Sequence, residues 1–267
     1  MSEHSSFYEI DAKMETLREL LDQASEETTA KFDAALDLSW IYHDNALEGI
    51  VLHFHELKAA VDSRIISDST LIPMYDEICA HKAAIDLVRD LATRRRVAFD
   101  LNTIKVLHQT VTIDNNGQQY HYRKENPLHR LYFHEIVQPD KISYKLRKLV
   151  DWAATPEYKK MHPIRRATSV HQQLIAIYPW MKNSGKVARL LMSLLLYRDG
   201  YLPAVIHAVE RQRYYEVLRS DLDAVTALVL ASLENGIDSA TRYLREDYGD
   251  DEHSLTADGW PPPEPTP

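Results

Sequence analysis

The residues most able to do chemistry lie between His171 and Tyr201, where a helical pattern, the polar loop Met181 to Lys186 and a second helical pattern follow one another. Such a loop delivers backbone amides to the start of the second helix. The first N–H groups of a helix lack intrahelical partners, and the aligned peptide dipoles place partial positive charge there, so a phosphate is favoured. Lys182, Lys186 and Arg189 add full charges to the same neighbourhood. The pattern fits an anion site and fits equally an ordinary helix-loop-helix corner with solvated lysines. Ser184-Gly185-Lys186 lacks the preceding strand and the spacing of a phosphate-binding loop. His53 and His55, beside Glu56, stand two apart on a helical pattern, which turns their rings to different faces and argues against a metal site.

The elements that must position the loop are mostly helical. Apolar residues at 7, 10, 14, 17, 20 and 21 form one stripe, and a second helix is expected from Thr28 towards Tyr42. Asp44 is expected to cap a further helix, continued or restarted over His55 to Val61. Residues 65 to 72 read as a loop, Tyr75 to Thr93 as a helix ending in the solvated cluster Arg94-Arg95-Arg96, and Leu101 to Val111 as another. Asp114-Asn115-Asn116-Gly117 is a turn signal, and Gln119 to Arg123 with His129 to Val137 alternate like short strands. Helices are expected over Lys141 to Trp152, Pro163 to Ile177, Lys186 to Arg198, Leu202 to Leu218 and Asp221 to Leu244. The tail from Glu246 is acidic and then proline-rich, a composition expected to stay disordered.

Composition narrows the function classes. A chain of 267 residues can bury a sizeable core, and only seven glycines with long periodic apolar segments indicate a mostly helical protein. The single cysteine, Cys79, excludes an intrachain disulfide framework and fits a reducing compartment. A net charge of −9 argues against a general nucleic-acid or anionic-membrane surface. No apolar run approaches the roughly 20 residues needed to span a bilayer. The start, Met-Ser-Glu-His-Ser-Ser, lacks the charged and apolar regions of a secretory signal, so the expected location is cytoplasmic.

The order of residues from Tyr178 resembles the signature of the Fic/Doc (Fido) superfamily, His-Pro-Phe-x-Asp/Glu-Gly-Asn-Gly-Arg followed by two residues and a second Arg. The same positions here read Tyr178, Pro179, Trp180, Met181, Lys182, Asn183, Ser184, Gly185 and Lys186, with Arg189 as the second Arg and no gap in register. His171, seven residues upstream, and the Gly200-Tyr201 pair also match the family's habit. Residues 119 to 123 resemble its Gly-x-Tyr-Arg element beside a β-hairpin flap. Asn45-Ala46-Leu47-Glu48-Gly49 resembles its inhibitory helix motif, Ser/Thr-x-x-x-Glu-Gly/Asn, with Asp44 where Ser or Thr is usual.

The resemblance implies an all-α Fido-like helical bundle with a small β-hairpin flap, laid out as N-terminal helices over 1–39, a Fido-like domain over 40–245 and a disordered tail over 246–267. It implies that Asn183, Ser184, Gly185, Lys186 and Arg189 form a phosphate or nucleotide site for ATP or another nucleotide. Glu48 and Arg189 would form an inhibitory or purely structural ion pair. Flap residues Tyr122, Arg123, Tyr132 and His134 would border the docking edge for a protein target or partner. In adenylylating relatives the motif His is the general base and the acidic residue holds Mg²⁺. Tyr178 and Lys182 stand at those catalytic positions, with His171 in reserve. A phenol with a pKa near ~10 is a poor base at neutral pH, and an ammonium repels Mg²⁺, so no metal is expected. The implied function is that of a degenerate family member, with conventional adenylylation lost, acting as an interaction or regulatory module able to hold a phosphate-bearing ligand. One alternative is a metal-independent group transferase using a nucleotide or nucleotide-sugar; a second is a protein adenylyltransferase.

Overall fold

The computed structural model describes residues 3–61, 72–94, 99–113, 121–127 and 135–245. Its elements are α1 (Glu3–Gln23), α2 (Glu26–Leu47), α3 (Phe54–Val61), α4 (Ile72–Thr93), α5 (Leu101–Val111), α6 (Ile142–Ala153), α7 (Pro156–Lys160), α8 (Pro163–Ile177), α9 (Ser184–Arg198), α10 (Arg211–Val217) and α11 (Leu222–Arg245). The architecture is all-α.

The bundle is built around α9. From Val187 to Leu196 this helix has no exposed face, the pattern of a helix surrounded by others. It packs chiefly against α8 and also against α4 and α5; α11 covers α8, and α1 lies on α11. Local chemistry sets the element ends. Ser25 caps α2 by accepting from the Thr28 amide at 3.0 Å, and Asp100 caps α5 by accepting from the Thr103 amide at 2.7 Å. Pro156 and Pro163 open α7 and α8, where a missing N–H costs nothing.

Several expectations are corrected. Asp44 is not a cap: α2 runs unbroken through it, and its side chain is buried by tertiary partners. Residues 202–207 are not helical: Gly200, at φ 83°, turns the chain, Pro203 lacks an amide donor, and the Val205 amide donates to Pro203 O at 3.1 Å in a tight turn. His43 Nδ1 then accepts from the Ala208 amide at 3.0 Å before the short α10 begins. The β-hairpin flap is not supported, since there is no strand among the described residues; 121–127 and 135–138 are irregular. In these described stretches the Arg123 guanidinium donates to Glu125 O at 3.2 Å, to Val137 O and to Ile177 O at 3.3 Å. The expected flap residues Tyr132 and His134, the turn at 114–117 and the tail from 246 lie outside the described residues.

Candidate functional site

The loop between α8 and α9 is held from four sides. Helix α8 ends at Tyr178 in the left-handed region, φ 46°, an uncommon conformation for a residue with a ring. Arg123 holds it there: its Nε donates to Tyr178 O at 2.7 Å, and its amide donates to Pro179 O at 2.9 Å. Trp180 is buried, stacked on His108 with centroids 3.9 Å apart, and His108 Nε2 lies 3.3 Å from Lys182 O. Ser184 Oγ accepts from the Trp180 amide and donates to Trp180 O, both at 2.8 Å. Asn183, at φ 61°, donates its side-chain amide to Val111 O at 3.2 Å and Thr112 Oγ1 at 3.0 Å. The side chains of Ser184 and Asn183 are thus spent on shaping the loop.

Helix α2 then lies across the start of α9. Lys186, only 3% exposed, donates to Asn45 Oδ1 at 2.8 Å, and Asn45 Nδ2 donates to Ile41 O at 2.7 Å. Arg189 donates from Nε to Asp44, from Nη2 to Glu48 Oε1 at 2.8 Å and from Nη1 to the Tyr214 hydroxyl at 3.3 Å. Asp44, in the last turn of α2, and Glu48, its C-terminal cap, stand one turn apart, so both carboxylates face the same guanidinium. Glu48 Oε1 would lie 2.2 Å from a Cβ built on Gly185, which places this carboxylate against the first turn of α9. That is where a helix most favours a negative group.

Burial and charge compete at each group. Burial lowers the pKa of Lys186, opposed by Asp44, Glu48 and Glu77. Burial also works against the Arg189 charge, but Asp44, Tyr214 and Glu48 hold its pKa far above the usual value. Burial raises the Asp44 carboxyl, and Arg189 with His81 outweighs it, so the group stays ionised. His81 is wholly buried, which lowers its pKa despite Asp44, so it is neutral near pH 7. Its Nε2 faces Asp44 Oδ2 across 3.1 Å without full hydrogen-bond alignment, and neither atom has another hydrogen-bond partner among the described residues.

A family model described as Fic/DOC family matches residues 98–196, the stretch from the approach to α5 through the loop and α9. Residues 98–196 form a Fic/DOC family domain. It is 26% identical over 179 residues to a protein named "Protein adenylyltransferase Fic" from Nematostella vectensis, covering 67% of this chain and 42% of that one. It therefore spans under half the length of that relative. A Fic domain containing signaling protein from Bacteroides thetaiotaomicron superposes with a TM-score of 0.78 at 20% identity, covering 90% of this chain and 98% of that one. A fragment of Fic-1 from C. elegans superposes with a TM-score of 0.76 at 21% identity, covering 90% and 71%. At these identities the two structures establish the fold.

Within this Fic fold, Lys186, Arg189, Glu48 and Gly185 converge. Tyr178 is buried, and Lys182 is exposed beside Met181 at the loop surface. His171 is fully buried, with Nε2 3.0 Å from the Tyr214 hydroxyl, so it stands behind Arg189's partner and not at the loop surface. Arg123 is a buried clamp, and Tyr122 packs on Trp180 with ring centroids 5.7 Å apart. Sequence reasoning missed His81 and His108, and read Asn45 and Asp44 only as part of the motif around Glu48, without their contacts to Lys186 and Arg189. The signal for His81 and His108 was their placement on the inward stripes of α4 and α5. Among the described residues no three His, Cys, Asp or Glu side chains converge on a metal position, and no helix is long and apolar enough to cross a membrane.

Proposed function

We propose that this Fic-family protein is a degenerate member that has lost conventional adenylyl transfer and works as an interaction or regulatory module. The observation that carries the reading is the filling of the anion site by α2. Glu48 stands against the first turn of α9, Glu48 and Asp44 hold Arg189, and Asn45 holds Lys186. A phosphate reaches those cations only when α2 moves away. The activity in the relative's name, transfer of an adenylyl group to protein, needs a base at the target hydroxyl and stabilisation of phosphate charge. The Tyr178 side chain is buried and its backbone is clamped by Arg123, so it is poorly placed as that base. Mg²⁺ does not fit: the loop offers the cations Lys182 and Lys186, and the two neighbouring carboxylates are already engaged by Arg189.

Calorimetric titration of the wild-type protein with ATP, with and without Mg²⁺, tests this reading. No saturable heat into the low millimolar range is expected; a micromolar, Mg²⁺-dependent complex contradicts it. A partner captured by pull-down is expected to survive Lys182→Ala. A metal-independent transferase is the second reading, favoured by exposed Lys182 at the loop surface, where its ammonium can meet a diphosphate. It requires that a nucleotide or nucleotide-sugar raise the melting temperature and that Lys186→Ala remove the rise.

A further inference from the structure

Helix α2 covers the α9 start only while its C-terminal half stays seated, and residues 207–215 supply much of that seat. Arg211 Nε and the Tyr215 hydroxyl both donate to Leu47 O at 3.0 Å, and the Tyr214 hydroxyl accepts from Arg189. The same seat holds a pair of imidazoles. His43, the residue before Asp44, is buried, and its ring is stacked on that of His207 with centroids 4.3 Å apart and planes 9° from parallel. His43 Nδ1 accepts from the Ala208 amide at 3.0 Å. A nitrogen that accepts an N–H must keep its lone pair, so the seated imidazole is neutral and carries its proton on Nε2.

Protonation of His43 undoes that contact. The lone pair becomes an N–H aimed at another N–H, and the new charge sits in a buried place against a second imidazole. The charged groups around the pair do not offset it. Asp44 and Glu48 on α2 are engaged by Arg189, Arg211 is itself a cation, and Glu210 is held by Arg213 at 3.1 Å. Tyr42 meets the His43 ring edge-on, with centroids 5.2 Å apart. Burial first and His207 second push the His43 pKa down to about 3, and burial lowers that of His207 against the pull of Glu210. We propose that the stacked His43 and His207 form an acid-sensitive latch, which seats α2 over the α9 start and lets it lift as the pH falls. The seat is at full strength above about pH 6.5, where a lifted His43 is also neutral, and weakens below it. The consequence for ligands rests on the reading of α2 as the element that fills the anion site.

The test is hydrogen-exchange mass spectrometry of the full chain at pH 7.5 and pH 5.5, corrected for the pH dependence of chemical exchange, with α2 compared against α8 and α9. A lifted α2 takes up the His43 proton near the ordinary pKa of about 6.5 and the seated one only near 3, so the lifted population grows about tenfold between the two pH values. Protection over residues 40–49 is expected to fall by that factor while α9 keeps its own. His43→Gln still offers the Ala208 amide an acceptor and takes no charge, so it is expected to fold and to lose the response. Should that variant not fold, ¹⁵N NMR of the wild-type imidazoles serves: His43 is expected to keep Nδ1 unprotonated and to titrate below pH 5. Equal α2 protection at the two pH values, a parallel loss in α9, a response retained in His43→Gln, or a His43 that titrates near 6.5 overturns the proposal. The readout is α2 itself, so an ATP complex of the wild type, which contradicts the reading of lost transfer, leaves the latch standing.

Discussion

Replacing Gly185 with Ala separates helix propensity from the seating of Glu48 over the start of α9. Gly185 lies in the first turn of α9, and Ala is favoured over Gly in a helix by up to about 1 kcal/mol, so on propensity alone the substitution stabilises. The added methyl would lie 2.2 Å from Glu48 Oε1 and 3.1 Å from Arg189 Nη1. The carboxylate is the end of a flexible, partly exposed side chain, so it yields first and loses its 2.8 Å bond to Arg189. A hydrogen bond between charged groups contributes about 1.5–3 kcal/mol, which leaves a net cost of about 0.5–2 kcal/mol for Gly185→Ala. In a Glu48→Ala background the clash is gone, and the same change is expected to be neutral or stabilising. Urea unfolding of the four proteins of this cycle measures the coupling. An equal cost of Gly185→Ala in both backgrounds refutes the placement of Glu48 over the α9 start.

Arg123→Ala removes donors from the carbonyls of Ile177, Tyr178 and Glu125 in a buried setting, so a loss of about 3 kcal/mol is expected in urea unfolding, and Arg123→Lys is not expected to restore it. Stability is also expected to fall on acidification. His43 is buried and stacked on His207 at 4.3 Å, and burial with its neighbour lowers its pKa to about 3. The unfolded chain takes up that proton first, near its ordinary pKa of about 6.5. The stability is therefore full above that pH and declines below it by up to about 1.4 kcal/mol per pH unit until about 3. His43→Gln should flatten the slope between pH 6.5 and 4.5; an unchanged slope contradicts the burial of a neutral imidazole.

Elements with local determinants could be read from sequence. Helices Leu101–Val111 and Pro163–Ile177 fall where periodicity places them, because Asp100 and Pro163 mark their starts in the chain itself. Elements whose limits depend on distant partners could not. Asp44 looks like a cap because short acidic residues favour helix starts, yet it lies buried in the last turn of α2, held by Arg189, 145 residues away. The mostly apolar run 202–207 has helical composition, but it is non-helical, with a turn at Pro203 and the His43 contact to Ala208 fixing its end. At the site, family likeness is what set Glu48 opposite Arg189. His81 carries no motif and Asn45 has only a place within one, and their contacts arise only when α2 and α4 are laid against α9. Tyr178 shows the same limit, since its left-handed backbone is held by Arg123 from a remote segment.

The most direct test of lost adenylyl transfer is incubation of the Glu48→Ala protein with ATP labelled at the α-phosphate, with Mg²⁺, alone and with candidate protein targets. This variant removes the carboxylate that stands against the α9 start while leaving Tyr178 and Lys182 as they are. The account predicts no label on the protein itself or on any target, because a buried phenol and a loop cation replace the base and the metal-binding acid. Mg²⁺-dependent labelling that is lost on adding Lys186→Ala would contradict it.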